Sequence, residues 1–183
     1  MTSSSIATVR NILRDPLPGK LFVDTNFFKS MIFANNPAKE SACKYFLKRL
    51  RDETENNPKF LIGFNTVIYY EMYIALAHHQ LKKHGMSKNI MISDPQKLKP
   101  YIATIKRQYD LFLEILKGLR KVEISLKDGK LMEKILETQT NYRLQYADAF
   151  HLGTMFFANE KDFASFDVAD FKQIPGINLW CAY

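Results

Sequence analysis

The sequence predicts an α/β fold: a three-layer α/β/α sandwich around a central, mostly parallel sheet of about five short strands. Three observations carry this. Short apolar runs alternate with longer segments of helical periodicity. The first run, Leu21–Asp24 (LFVD), is apolar up to its closing acid, as a strand buried on both faces of a parallel sheet would be. A length of 183 residues, with 46% hydrophobic and 25% charged, suits one domain with a sizeable core.

After the first strand, residue 37 to about Glu53 reads as a helix, with Ala42, Tyr45, Phe46 and Leu50 at helical spacing. Asn56-Asn57-Pro58 breaks it, and Phe60–Phe64 (FLIGF) reads as the second strand. Asn65 or Thr66 can cap a helix that runs through Glu71 to about His84, where Gly85 stops it. Residues 86–100 carry two prolines and little periodicity, which predicts a loop. A helix follows from Tyr101 to about Leu119, with Ile105, Tyr109, Phe112 and Leu116 in one stripe. Val122–Ser125 reads as a strand, 128 to about Glu137 and Tyr146–Asn159 as helices, and Phe163–Phe166 as a strand. Pro175-Gly176 turns the chain into a last strand, Ile177–Cys181. Residues 1–20 read as a flexible N-terminal extension and 21–183 as a single domain.

Composition excludes several classes. Seven Gly and seven Pro are too few for a fibrous or largely disordered chain. Cys43 and Cys181 cannot make a disulfide scaffold or a four-thiolate zinc site, and read as reduced thiols in a cytoplasmic protein. No apolar run approaches the roughly 18–20 residues of a membrane span, and the N-terminus lacks the apolar stretch of a secretory signal. The net charge of +7 is unevenly spread: +3 over residues 1–77, +7 over 78–134 and −3 over 135–183. A basic surface beside an acidic cluster suits a phosphate-backbone partner held near a metal, although a solvated surface is the simpler account of charge alone.

Four acids stand at element ends. Asp24 closes the first strand, where ligands bind in open parallel sheets, though an Asp before a helix is also an ordinary N-cap. Glu71 sits in an otherwise apolar helical stretch and needs an exposed face or a partner. Asp148 falls in the first turn of a helix, where the macrodipole favours an anion. Asp167 follows a strand and could be a plain turn residue. Together, four carboxylates at the ends of elements in one layer can converge, and a divalent cation would relieve their repulsion. All-oxygen ligation selects Mg²⁺ or Mn²⁺, which activate water for in-line attack at phosphorus.

The ordered set Val23-Asp24-Thr25-Asn26, Glu71 in a Thr-Val-x-x-x-Glu helix, Asp148-Ala149, Ser165-Phe166-Asp167, Asp170-Phe171 and Ile174-Pro175-Gly176 resembles the PIN-domain family. The resemblance runs from about Leu21 to about Leu179. It implies a PIN-like nuclease domain and a single-strand-directed, Mg²⁺/Mn²⁺-dependent endoribonuclease with Asp24, Glu71, Asp148 and Asp167 as catalytic acids. Asp24, Asp148 and Asp167 would ligate the metal; Thr25, Asn26, Ser165 and Asp170 would support them. Many members are VapC-type toxins that form homodimers and are neutralised by an antitoxin, so an RNA substrate, an antitoxin and a second copy are the expected partners. The extension before the first motif and the basic segment around residues 83–100 depart from the short toxin pattern, and leave a housekeeping RNA-processing nuclease open. A PIN-like RNA-binding or scaffold module without catalysis is a further alternative, against which all four acids count.

Lys82, Lys83, Lys106 and Arg107 are the candidate nucleic-acid contacts; the interleaved Tyr101 and Tyr109 could stack on bases but fit a core stripe as well or better. His78, His79 and His84 suit a helix C-terminus better than a metal site. His151, one turn after Asp148, is placed either to reach the acids or to sit half-exposed on its helix. Asp24-Thr25-Asn26 lacks the second Asp of a haloacid-dehalogenase-like hydrolase, and no P-loop motif occurs.

Overall fold

The computed structural model describes residues 6–33, 37–125, 127 and 129–181. It contains one six-stranded sheet in which every pairing is parallel. The strands are β1 (Thr8–Asn11), β2 (Lys20–Val23), β3 (Leu61–Asn65), β4 (Lys121–Ile124), β5 (Asp162–Ala164) and β6 (Asn178–Cys181). Their spatial order is β1-β6-β5-β2-β3-β4. The helices are α1 (Thr25–Ile32), α2 (Pro37–Asn56), α3 (Val67–Lys83), α4 (Ile90–Ser93), α5 (Ile102–Lys117), α6 (Gly129–Tyr142), α7 (Tyr146–Phe157) and α8 (Val168–Phe171).

Two hydrophobic clusters cover the two faces of the sheet, and the strands divide their side chains between them with the period of two that a pleated strand imposes. Leu21 and Val23 enter one cluster with residues of α1, α2, α3 and α5, whereas Phe22 enters the other with residues of α6 and α7. Ala164 and Trp180 join the first cluster; Phe163 and Leu179 join the second. Rings fill much of this core: Phe27 packs edge-on against Phe28 and Phe46, and Phe28 against Phe112. On the other face α6 and α7 approach closely at Gly153, where a Cβ would stand 2.9 Å from the Ile135 Cα.

Strands 2 to 6 occur where the apolar runs predicted them. β1 is a correction. Part of the N-terminal segment expected to be a flexible arm is instead an edge strand paired with β6, in register Thr8 with Asn178 through Asn11 with Cys181. Its residues are largely exposed, so it carries no apolar signature. Residues 86–100 are a second correction. They fold into α4 and a 3₁₀ helix (Pro95–Tyr101), held down by buried Leu98 with Met86, Ile90 and Met91 against the first cluster. Asp128, the expected start of α6, lies outside the described residues. Gly85, with φ +70, follows the end of α3 as expected. Among the described residues no helix is long and apolar enough to cross a membrane.

The order of strands fixes where a ligand can enter. From β2 the chain builds outward through β3 and β4, then returns to the other side of β2 to lay down β5 and β6. The crevice beyond the carboxyl ends of β2 and β5 is therefore the switch point, the usual binding place in open parallel sheets.

Candidate active site

Asp24 follows β2 directly and lies at this crevice, 1% exposed. It is the N-cap of α1: its Oδ1 accepts from the Phe27 backbone N–H at 3.0 Å. Capping and site placement are thus one arrangement rather than alternatives. Its Oδ2 accepts from the Ser165 hydroxyl at 2.5 Å, across the gap between β2 and β5. Ser165 Oγ in turn accepts the Asp167 backbone N–H at 2.9 Å. Asp167, the N-cap residue of α8, receives a side-chain bond from the Asn26 Nδ2. Lys29 Nζ donates to the Asn26 Oδ1 at 3.2 Å. A continuous hydrogen-bonded chain therefore links Asp24, Ser165, Asp167, Asn26 and Lys29.

Glu71 comes from the second turn of α3 and has found a partner rather than an open face. Its Oε2 accepts from the Thr25 hydroxyl and stands 2.6 Å from His151 Nε2. An ionised carboxylate only accepts, so the proton of this contact belongs to Nε2. The same nitrogen lies 3.0 Å from Thr25 Oγ1. His151 is buried, and its Nδ1 has no hydrogen-bond partner among the described residues. Of the two placements the sequence left open, the structure shows the one within the site, because positions three apart share a helix face. Asp148 lies on that same face of α7, in its first turn and half-buried.

Charge burial moves these groups in different directions. Desolvation raises Asp24 to about 6, with the nearby Asp167 charge adding to it; His151 and the bonds from Ser165 and Phe27 oppose the rise. Desolvation also raises Asp148 to about 6, reinforced by the negative charges of Asp24, Asp170 and Asp167. Glu71 is likewise pushed up by burial, but the bonds and charge from His151, the Thr25 bond and the Lys29 charge outweigh it, leaving Glu71 below its ordinary value. Strongly perturbed carboxylates in one crevice mark a candidate functional site.

The four acids and Thr25, Asn26 and Ser165 are thus drawn into one neighbourhood. Asp170 is exposed on α8, and its charge reaches Asp148. Among the described residues no group of three or more His, Cys, Asp or Glu side chains is arranged to hold a metal ion as it stands. Lys82 and Lys83 are exposed in the last turn of α3; Lys106 and Arg107 are exposed on α5, where Lys106 pairs with Asp110 at 2.7 Å. Tyr101 stacks on His84, and Tyr109 packs against Phe112, so both serve packing. Lys29 is a further site residue, and Ser30, a turn beyond Asn26, bonds the Asn26 carbonyl. Lys29 sits three residues after Asn26, the one sequence signal that could have placed it there.

A chain in the crystal structure of VapBC2 from Rickettsia felis, bound to a DNA fragment from their promoter, superposes with a TM-score of 0.55. The match is 14% identical and covers 88% of this chain and 98% of that one. The fold is PIN-like. A toxin-antitoxin complex from Klebsiella pneumoniae is also similar, at a TM-score of 0.47 and 16% identity over 86% of this chain and 94% of that one. No family model and no curated protein matches the sequence. In this PIN-like frame Asp24 and Asp167 follow the central strands β2 and β5, at the carboxyl ends where the crevice opens.

Proposed function

We propose that the chain is a metal-dependent endoribonuclease acting on single-stranded RNA, and that it is the toxin of a toxin–antitoxin pair. The observation that carries the reading is the Asp24–Ser165–Asp167 chain across the β2–β5 crevice, with Asp148 beside it. The structural likeness to a VapBC2 chain and the resemblance of the motifs to VapC-type toxins support the toxin role.

The donor set fits a hard divalent cation in its chemistry. Asp24, Asp148 and Asp167 offer only oxygen, and the repulsion that adds to the effect of burial on Asp148 is the kind a cation removes. Asp24 and Asp148 would be the principal ligands of Mg²⁺ or Mn²⁺, with Asp167 and Glu71 completing the site. Bound there, the ion would act as a Lewis acid on the scissile phosphate and lower the pKa of an attacking water. Ser165 and the Phe27 N–H fix the Asp24 carboxylate, Asn26 fixes Asp167, and Thr25 with His151 fixes Glu71. Such orientation by neighbours lets a site hold its ligands in one geometry. Lys29, held by Asn26, sets a positive charge at the rim, where the nucleic-acid backbone would pass.

The test is cleavage of a mixed single-stranded RNA pool with Mg²⁺ or Mn²⁺ by the wild type and by Asp24→Asn. We expect cleavage with 5′-phosphate and 3′-hydroxyl ends, reduced about 10³-fold or more in the variant. Ends carrying a 2′,3′-cyclic phosphate would sink the water-attack mechanism. Binding without cleavage in either protein would move the reading to an RNA-binding scaffold.

A further inference from the structure

A cavity of about 330 Å³ opens beside Glu71 and runs along α3. Its α3 wall includes Val67, Tyr70, Glu71, Ile74 and His78, a stripe at three- and four-residue spacing. Eleven residues of helix rise give this wall a length of about 16 Å. The opposite walls come from Tyr146 and Ala147 on α7 and from Lys29 on α1. Tyr70 is 67% exposed and Tyr146 is 62% exposed, although each is a large ring beside a buried acidic site. Tyr146 packs on Phe150, with ring centroids 4.4 Å apart. Lys29 lines the cavity at its acid end, where its Nζ donates to the Asn26 Oδ1 at 3.2 Å.

We propose that this cavity is the subsite for the nucleotide flanking the cleaved bond, with Tyr70 and Tyr146 as the base-stacking surfaces and Lys29 as the phosphate contact. The proposal rests on the nuclease reading of the neighbouring acids and names where their single-stranded substrate lies. Three features favour a nucleotide over a protein segment. The most exposed side chains on an otherwise largely aliphatic wall are the two tyrosine rings, and Lys29 stands beside them, the aromatic–cationic pairing that single-stranded nucleic acids use. The volume is near the lower end of small-molecule sites, about 300–1,000 Å³, as a single base requires. The cavity is continuous with the acid cluster through Glu71 and Lys29, so a strand occupying it would lead its backbone into the crevice. Base stacking is indifferent to sequence, so the subsite would select unpaired strands rather than a particular base.

The experiment measures binding of a fluorescent mixed-sequence RNA 12-mer in EDTA, where cleavage plays no part. The proteins are the wild type, Tyr70→Ala, Tyr146→Ala, the double variant, Tyr70→Phe and Lys29→Gln. An abasic oligonucleotide of equal length is the control ligand. We expect each Ala variant to weaken RNA binding about tenfold, Tyr70→Phe to bind as the wild type does, and the abasic strand to bind all tyrosine variants equally. Lys29→Gln should reduce the salt slope by about 0.7. Unchanged RNA affinity in the double variant, or no RNA binding by the wild type, would overturn the subsite and leave the cavity to a protein partner. Equal losses for RNA and the abasic strand would also overturn it, since stacking would not be the cause. Metal-dependent cleavage by the wild type is read separately: if it fails while the tyrosine effects hold, the nuclease reading falls and the base-binding cavity stands.

Discussion

The two sides of the acidic crevice treat a buried carboxylate in opposite ways. On the β2–β5 side, Asp24 is bonded only by a hydroxyl and a backbone N–H and meets His151 through its charge without a bond; burial prevails, lifting it to about 6. On the α3–α7 side, Glu71 shares one oxygen between Thr25 and His151, and falls below its ordinary value. Neutral hydrogen bonds orient a charge without fully replacing water, whereas an imidazole donor adds electrostatic compensation. The first side is thus left short of positive charge and suited to an incoming cation. The second is already satisfied and suited to fixing geometry.

The largest effect that could break this contrast is on stability. Asp24 titrates higher folded than unfolded, so its carboxyl favours the folded state at low pH. That contribution is fully present below about 4 and is lost as pH rises through about 6. In EDTA, Asp24→Asn should therefore be more stable than the wild type at pH 7.5 by on the order of 3 kcal/mol, and the gap should close towards pH 4. Urea melts across this range measure it. A gap independent of pH would mean that Asp24 is not held at a cost.

A smaller effect sharpens the other side. A double-mutant cycle on Glu71→Ala and His151→Ala should return a coupling of about 1–3 kcal/mol near neutral pH. Additive losses would show that His151 is not what holds Glu71 ionised. The smallest change is Thr25→Val, which removes one hydroxyl and nearly nothing else; a loss of about 1 kcal/mol is expected, with Thr25→Ser restoring it.

Much of this crevice was legible in the sequence, for an identifiable reason. Asp24 and Asp167 stand next to strands that the apolar runs marked, and sheet topology alone carries their ends together. The sequence alone allows His151 two placements, because α7 is apolar on nearly every side and its periodicity does not single out a face. Tyr70 escaped notice for a related reason: an aromatic in an apolar helical stretch looks like core, and only tertiary packing shows that it faces outward. Tyr101 and Tyr109 follow the core-stripe placement that their helical spacing favours over stacking, and are held by His84 and Phe112. β1 left no apolar trace because an edge strand with solvent on its side chains needs none.

The bond between Asp24 and Ser165 joins residues 141 positions apart. During synthesis β2 emerges before β5 and waits unpaired on that edge while α1 to α7, β3 and β4 are translated. Contacts of such long separation form late and slowly. Every nascent chain too short to expose Ser165 carries Asp24 without its cross-strand partner, so the crevice is assembled only after β5 has left the ribosome.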